Sequence, residues 1–166
     1  YMFGCKKGLI AGIVYGFLQA IQDPWLLHPA QFALDYVVAF MAIALTGCLR
    51  NLPSLKGKMR SQFTLGAIIA GVTRYISHYF SGVFAFGTFG ADYAEQYGIS
   101  ALANPYFYSF VYQSMYVIPE IIIVIVVGVI LLSSANFRKQ VLRYGNFAKT
   151  AQHVPSEAIP AAGTAH

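Results

Sequence analysis

An arginine and a histidine, Arg74 and His78, stand one helical turn apart in RYISHYFSG, within a stretch that is apolar on both sides. A charge at the centre of a membrane helix costs about 2.5–3.5 kcal/mol on insertion scales, so it needs a partner or a task. Ser81 extends the spacing to i, i+4, i+7. Elsewhere Gln31 and Asp35 are four apart with Tyr36 adjacent, and Ser109, Gln113, Tyr116 and Glu120 share another helical face. Tyr108 and Tyr112 form a neighbouring stripe, and Tyr15 lines up with Gln19. Such faces are unfavourable against lipid, so the helices should turn them toward one another. Two chemistries are open to them. A lone carboxylate among aromatic faces can hold a cation by charge pairing and cation–π attraction. Alternatively, His78 and Asp35 could work as the acid–base pair of a small intramembrane enzyme. No nucleophile–base pair, metal-ligand cluster or glycine-rich phosphate loop stands out, so the residues point away from catalysis and ATP hydrolysis.

Each residue also has an ordinary reading. Arg74 fits a structural ion pair with Asp35 or Glu120 better than a direct ligand contact. His78 either meets a ligand or hydrogen-bonds a neighbouring helix, and the spacing alone does not choose. Glu120 follows Pro119, which frees an upstream carbonyl, so it belongs either to a kink or to a site. Gly8, Gly12 and Gly16 read as helix packing, since small residues let backbones approach. Cys5 and Cys48 form no CxxC pair and are read as small packing residues, with no redox or metal role.

The elements that must position these residues are four apolar stretches. They run over residues 8–21, 31–49, 63 to about 86, and about 106–132. The last three are long enough to cross a bilayer, which takes about 20 apolar residues, and the first suffices if Gln22 sits near the interface. The chain is 57% hydrophobic and 10% charged, against about 25% charged in soluble domains, so it reads as an all-α integral membrane bundle. The net charge of +5 does not indicate nucleic acid, because the basic residues are placed by topology. Lys6 and Lys7, then Arg50, Lys56, Lys58 and Arg60, then Arg138, Lys139, Arg143 and Lys149 all fall on one side of a four-span bundle. The positive-inside rule makes that side cytoplasmic. Residues 22–29 and 87–105 hold no Lys or Arg and lie outside on this reading. They carry Asp23, His28, Asp92 and Glu95 with Trp25, Phe89, Tyr93 and Tyr97. Interfacial aromatic belts account for some of these rings. The 87–105 connection is long enough to act as a lid or binding loop.

At 1.5 Å per residue, Asp35 lies about 6 Å below the outer end of its helix and His78 about 12 Å below Phe86. The polar groups therefore gather in the outer half, above apolar runs such as IIIVIVVGVILL. That distribution suits a pocket open outward and closed below. Residues 1–133 form the membrane domain on this reading. Residues 134–166 form a cytoplasmic tail, basic at first and then of disordered composition. Residues 1–5 look like the end of a preceding hydrophobic segment.

Three segments in order, PAQFALDYVVAFMAIALTGCLR, RYISHYFSGVFAF and NPYFYSFVYQSMYVIPE, resemble the substrate-binding (S) subunit of energy-coupling-factor (ECF) thiamine transporters. The resemblance covers most of residues 6–133. It implies a six-helix membrane fold, of which four helices lie in this chain, the first and most of the second being absent. It also implies a location in the bacterial plasma membrane and no cofactor. The implied partners are thiamine, a shared transmembrane coupling subunit and two ATPases. Asp35 matches the family's acidic residue, usually Glu, and would face the cation and amino group of thiamine. Tyr36 follows it as in the family. Arg74 and Tyr75 belong to the basic-Tyr-x-x-His turn that ends on His78. Tyr108 matches a family tyrosine, Gln113 a usual Asn, and Phe86 a position where Trp is common. Tyr112 and Glu120 would support the site as part of its polar face. The 87–105 segment departs from the family's shorter loop. Another vitamin with a flat ring, such as riboflavin or a pyridoxine-like compound, would also suit such a scaffold.

Overall fold

The computed structural model describes residues 1–22, 27–55, 57–86 and 89–145. The described residues are helical, without a strand. Helix α1 is Cys5–Gln22, α2 Pro29–Cys48, α3 Met59–Ser81, α4 Phe89–Tyr97, α5 Pro105–Ser133 and α6 Ala135–Tyr144. Two of these, α2 and α5, are long and apolar enough to cross a membrane by length and composition. Crossings by α1 and α3 rest on the sequence reading alone.

Glycines set the packing of α1 on α2. A Cβ on Gly8 would lie 3.3 Å from the Ala44 backbone, and one on Gly12 would lie 2.5 Å from the Phe40 carbonyl oxygen. On Gly16 it would overlap the Tyr36 carbonyl oxygen. Each step of four along α1 is thus matched by a step of four backward along α2, the signature of an antiparallel pair at close range. The series continues to the helix ends, where Gly4 meets Gly47 and Cys5 meets Cys48. The cysteines are joined by a disulfide, with an S–S distance of 2.00 Å and Cα atoms 4.4 Å apart. This corrects their reading as plain packing residues. Register forced by the glycines brings them together.

Helix α2 is not uniform. Its residues Ala33–Val38 form a π-helical turn, closed by the Ala39 N–H returning to the Leu34 carbonyl. Such turns widen the helix by one residue and recur at functional sites. Both Asp35 and Tyr36 lie within it. A second π-helical turn, Gly82–Phe86, extends α3. Helix α3 packs on α5 along much of its length. Ser109 Oγ donates to the Tyr79 carbonyl at 2.8 Å, and Tyr75 Oη lies 2.9 Å from Ser114 Oγ. Ser77 Oγ on the other side donates to the Leu34 carbonyl at 2.7 Å, tying α3 to the π turn of α2.

Where a loop is expected between the last two spans, the chain forms α4 and a 3₁₀ turn, Ser100–Ala103. Gly98, at φ +67°, ends α4 in the left-handed region, and the Ile99 N–H reaches back to the Ala94 carbonyl at 3.1 Å. Asn104 then caps α5, accepting from Tyr106 N–H and Phe107 N–H at 3.0 and 3.3 Å, with Pro105 in the first turn. Helix α5 runs on through Pro119 to Ser133.

Not all the basic residues are left to topology. Arg50 is 7% exposed and donates to the Met2 carbonyl at 2.8 Å. Arg138 donates to the Leu132 and Ser133 carbonyls at 2.9 Å each, closing the end of α5. The basic start of the tail is α6, and residues 146–166 lie outside the described residues.

Candidate functional site

Five polar side chains join α2, α3 and α5 in one chain of contacts. Asp35 on the π turn of α2 is at its centre. Its Oδ1 lies 2.8 Å from His78 Nδ1 on α3, and its Oδ2 accepts from Gln31 Nε2 at 2.9 Å. On the far side of the imidazole, Arg74 Nε donates to His78 Nε2 at 3.3 Å. The guanidinium then pairs with Glu120 on α5 through Nη1. Arg74 also lies over the Phe40 ring, 5.2 Å from its centroid.

These contacts suit one tautomer of His78. An arginine nitrogen can only donate, so in that tautomer Nε2 accepts and Nδ1 carries the hydrogen given to Asp35. The network holds two carboxylates and one guanidinium. Arg74 pairs with Glu120, so Asp35 is left on the imidazole. Its side chain is 15% exposed and that of His78 10%, against 41% for Glu120. A carboxylate has about four lone-pair sites, and among the described residues two of those on Asp35 are taken by protein donors. The carboxylate thus keeps lone pairs that the described side chains leave unused.

Aromatic rings lead up to it. The Tyr116 ring is edge-on to His78 at 5.9 Å, Tyr112 follows at 5.8 Å, and Tyr108 stacks on Tyr112 at 5.8 Å. Tyr93 of α4 stacks on Tyr108 at 5.7 Å with an interplanar angle of 18°, and Tyr97 on Tyr93 at 6.0 Å. The stack ties the exposed helix α4 to the buried network. Helix α4 sits close because Gly90 leaves space: a Cβ there would lie 3.1 Å from Tyr108 Cβ.

The structure brings Asp35, His78, Arg74 and Glu120 into direct contact, and Tyr112 and Tyr108 into the ring stack above them. Arg74 pairs with Glu120 and not with Asp35. Gln113 is buried beside Gly82, and its Oε1 has no hydrogen-bond partner among the described residues. The same holds for Ser81 Oγ. Tyr36 is buried, its ring 5.6 Å from that of Phe32, which in turn lies 6.0 Å from Phe17 on α1. Tyr75 turns to α5, where its hydroxyl meets Ser114 and the Phe110 carbonyl. The Phe86 side chain lies outside what the structure describes, as do residues 23–26 and 87–88. Two partners were not picked out from sequence as site residues, Gln31 and Tyr116. Their signal was the helical spacing that placed them on the same faces as Asp35 and Glu120.

A cavity touches the network. It holds about 140 Å³ and is lined by Ile43, Thr46, Ala70, Gly71 and Val117, with Arg74 and Glu120 at one end. It lies on the Cys48 side of the ion pair, in the half expected to be closed. Small residues on α3 leave this space. At that size it falls below the roughly 300–1,000 Å³ of ligand pockets.

The family described as Thiamine transporter protein (Thia_YuaJ) matches residues 1–140. The chain is also 32% identical over 143 residues to the thiamine transporter ThiT of Bacillus subtilis (strain 168), covering 81% of this chain and 69% of that protein. No solved structure matches. The match takes in every residue of the Asp35–His78–Arg74–Glu120 network, and the chain belongs to the thiamine transporter family.

Proposed function

We propose that this chain is the substrate-capture subunit of an ECF-type thiamine transporter, and that Asp35 supplies the charge that selects the vitamin. One observation carries the reading: the network holds two carboxylates against one guanidinium, and Glu120 pairs with that guanidinium, which leaves the Asp35 carboxylate on the His78 imidazole. Thiamine presents a fixed cation and a flat aminopyrimidine. The carboxylate answers the cation, and the tyrosine faces answer both ring systems. Gln113 Oε1 and Ser81 Oγ offer buried acceptors that suit an amino or hydroxyl donor. Phe86, Tyr36 and Tyr75 complete the set, with Tyr75 and Glu120 acting through α5 and Arg74.

The ends of α2 and α5 at Pro29 and Pro105 face outward in the bacterial plasma membrane, and the basic clusters face the cytoplasm. Four spans of a six-helix fold lie in this chain, and energy comes from a coupling subunit and two ATPases. The purified chain in detergent, titrated by calorimetry against thiamine, riboflavin and pyridoxine, tests the substrate. Binding of thiamine alone is expected. Preference for riboflavin, or for an anionic ligand, would overturn the assignment.

A further inference from the structure

We infer that Gln31 is a positioning residue for the Asp35 carboxylate and that it links the carboxylate to the connection preceding α2. Gln31 is 2% exposed, among the most buried side chains of the described residues. Both ends of its amide are used. Nε2 donates to Asp35 Oδ2 at 2.9 Å, and Oε1 accepts from the Leu27 N–H at 3.3 Å. With His78 on Oδ1, each carboxylate oxygen has one donor among the described residues, one from α3 and one from its own helix.

The chemistry requires an amide of this length. Residues four apart on a helix lie one above the other, which lets a glutamine reach the carboxylate. An ionised Glu could not donate to Asp35, a Met could do neither job, and Asn is one methylene shorter. The grip matters because of what lies beyond His78. Arg74 already touches the imidazole, and a carboxylate freed to turn toward that guanidinium would share it with Glu120 and face away from a bound cation. By holding Oδ2, Gln31 keeps Asp35 on His78 and facing its remaining partner. Through Leu27, the same amide makes the carboxylate's position depend on the segment before α2.

This role rests on Asp35 being the counter-charge for thiamine, and the test separates the two. Thiamine binding is measured by calorimetry on the full chain in detergent for the parent, Gln31→Met, Asp35→Asn and the double variant. An uncharged aminopyrimidine fragment is the second ligand, and thermal melting reports folding. Gln31→Met is expected to weaken thiamine binding about five- to twentyfold, less than the loss of a direct hydrogen bond to a charged group because the amide acts on the ligand only through Asp35. In the Asp35→Asn background the same change should cost less than about twofold, because residues acting through one another are not additive. The fragment should be nearly unaffected. Gln31→Asn, polar and easier to fold, should show the same coupling if Gln31→Met is too unstable to measure. No loss in the parent background, or an equal loss in both backgrounds and for both ligands, would show that Gln31 only packs. If Asp35→Asn itself binds thiamine like the parent, the counter-charge reading falls, and the role of Gln31 falls with it.

Discussion

Adding one methyl group to Gly12 or Gly16 should push α1 off α2 at the level of the site. The Cβ of alanine at position 12 would stand 2.5 Å from the Phe40 carbonyl oxygen, so the helices must part by about 1 Å to restore ordinary contact. At position 16 the overlap with the Tyr36 carbonyl is deeper, and that carbonyl belongs to the π turn bearing Asp35. At position 8 the nearest atom is 3.3 Å away and a small shift suffices. Overpacking of this kind costs about 1–3 kcal/mol. The helix propensity of alanine over glycine returns up to about 1 kcal/mol at each position. Gly8→Ala should therefore be neutral or slightly stabilising, Gly12→Ala destabilising by about 1–2 kcal/mol, and Gly16→Ala by more. With about 2–4 °C of melting temperature per kcal/mol at this chain length, the three variants should melt in that order, spread over several degrees. Thiamine affinity should fall for Gly16→Ala ahead of Gly12→Ala. Equal melting temperatures for all three would refute the close antiparallel register of α1 and α2.

Arg74→Ala should lower folding yield and melting temperature more than affinity, because it leaves Glu120 unpaired; truncation of one partner in a buried pair costs about 3–5 kcal/mol, less here since Glu120 is partly exposed. Single cysteines at Asp92 and Lys56, in a chain whose native cysteines are replaced, should label from opposite sides of the membrane with an impermeant reagent; equal labelling would overturn the topology. A chain ending at Gly145 should bind thiamine as the full chain does, because the described network ends with Glu120 and α5 is closed by Arg138. Loss of binding would give the tail a part in the site.

The four long helices were readable because extended apolar stretches leave little choice, and their boundaries fell within a few residues of those expected. Asp35, His78, Arg74 and Glu120 were readable because a charge inside an apolar helix must find a partner. The choice of Glu120 over Asp35 for Arg74 was not, since two carboxylates of equal charge lay in reach and only the register of α3 against α5 decides. The disulfide was hidden for a related reason. Cysteines 43 positions apart carry no local signal, although the Gly8, Gly12, Gly16 series, extended one turn, points α1 at the level of Cys48. Helix α4 was masked by glycines and aromatics that resemble a loop, yet Gly98 marks its end. The π turn at Asp35 has no signature in ALDYVV.

The claim at the centre of this account is that Asp35 provides the charge that selects a cation, and Asp35→Asn tests it with the least change of shape. One charge pair at about 4 Å is worth roughly 4 kcal/mol at an effective dielectric near 20, before desolvation. A net loss of about 1.5–3 kcal/mol, or about ten- to 150-fold in thiamine affinity, is expected for a charged hydrogen-bonded contact. The uncharged aminopyrimidine fragment should lose far less, and His78→Ala should cost less than Asp35→Asn. Calorimetry on the parent and these variants reads all of it. If Asp35→Asn binds thiamine as tightly as the parent while Arg74→Ala folds normally and loses binding, the charge that matters is the arginine, and the ligand is an anion.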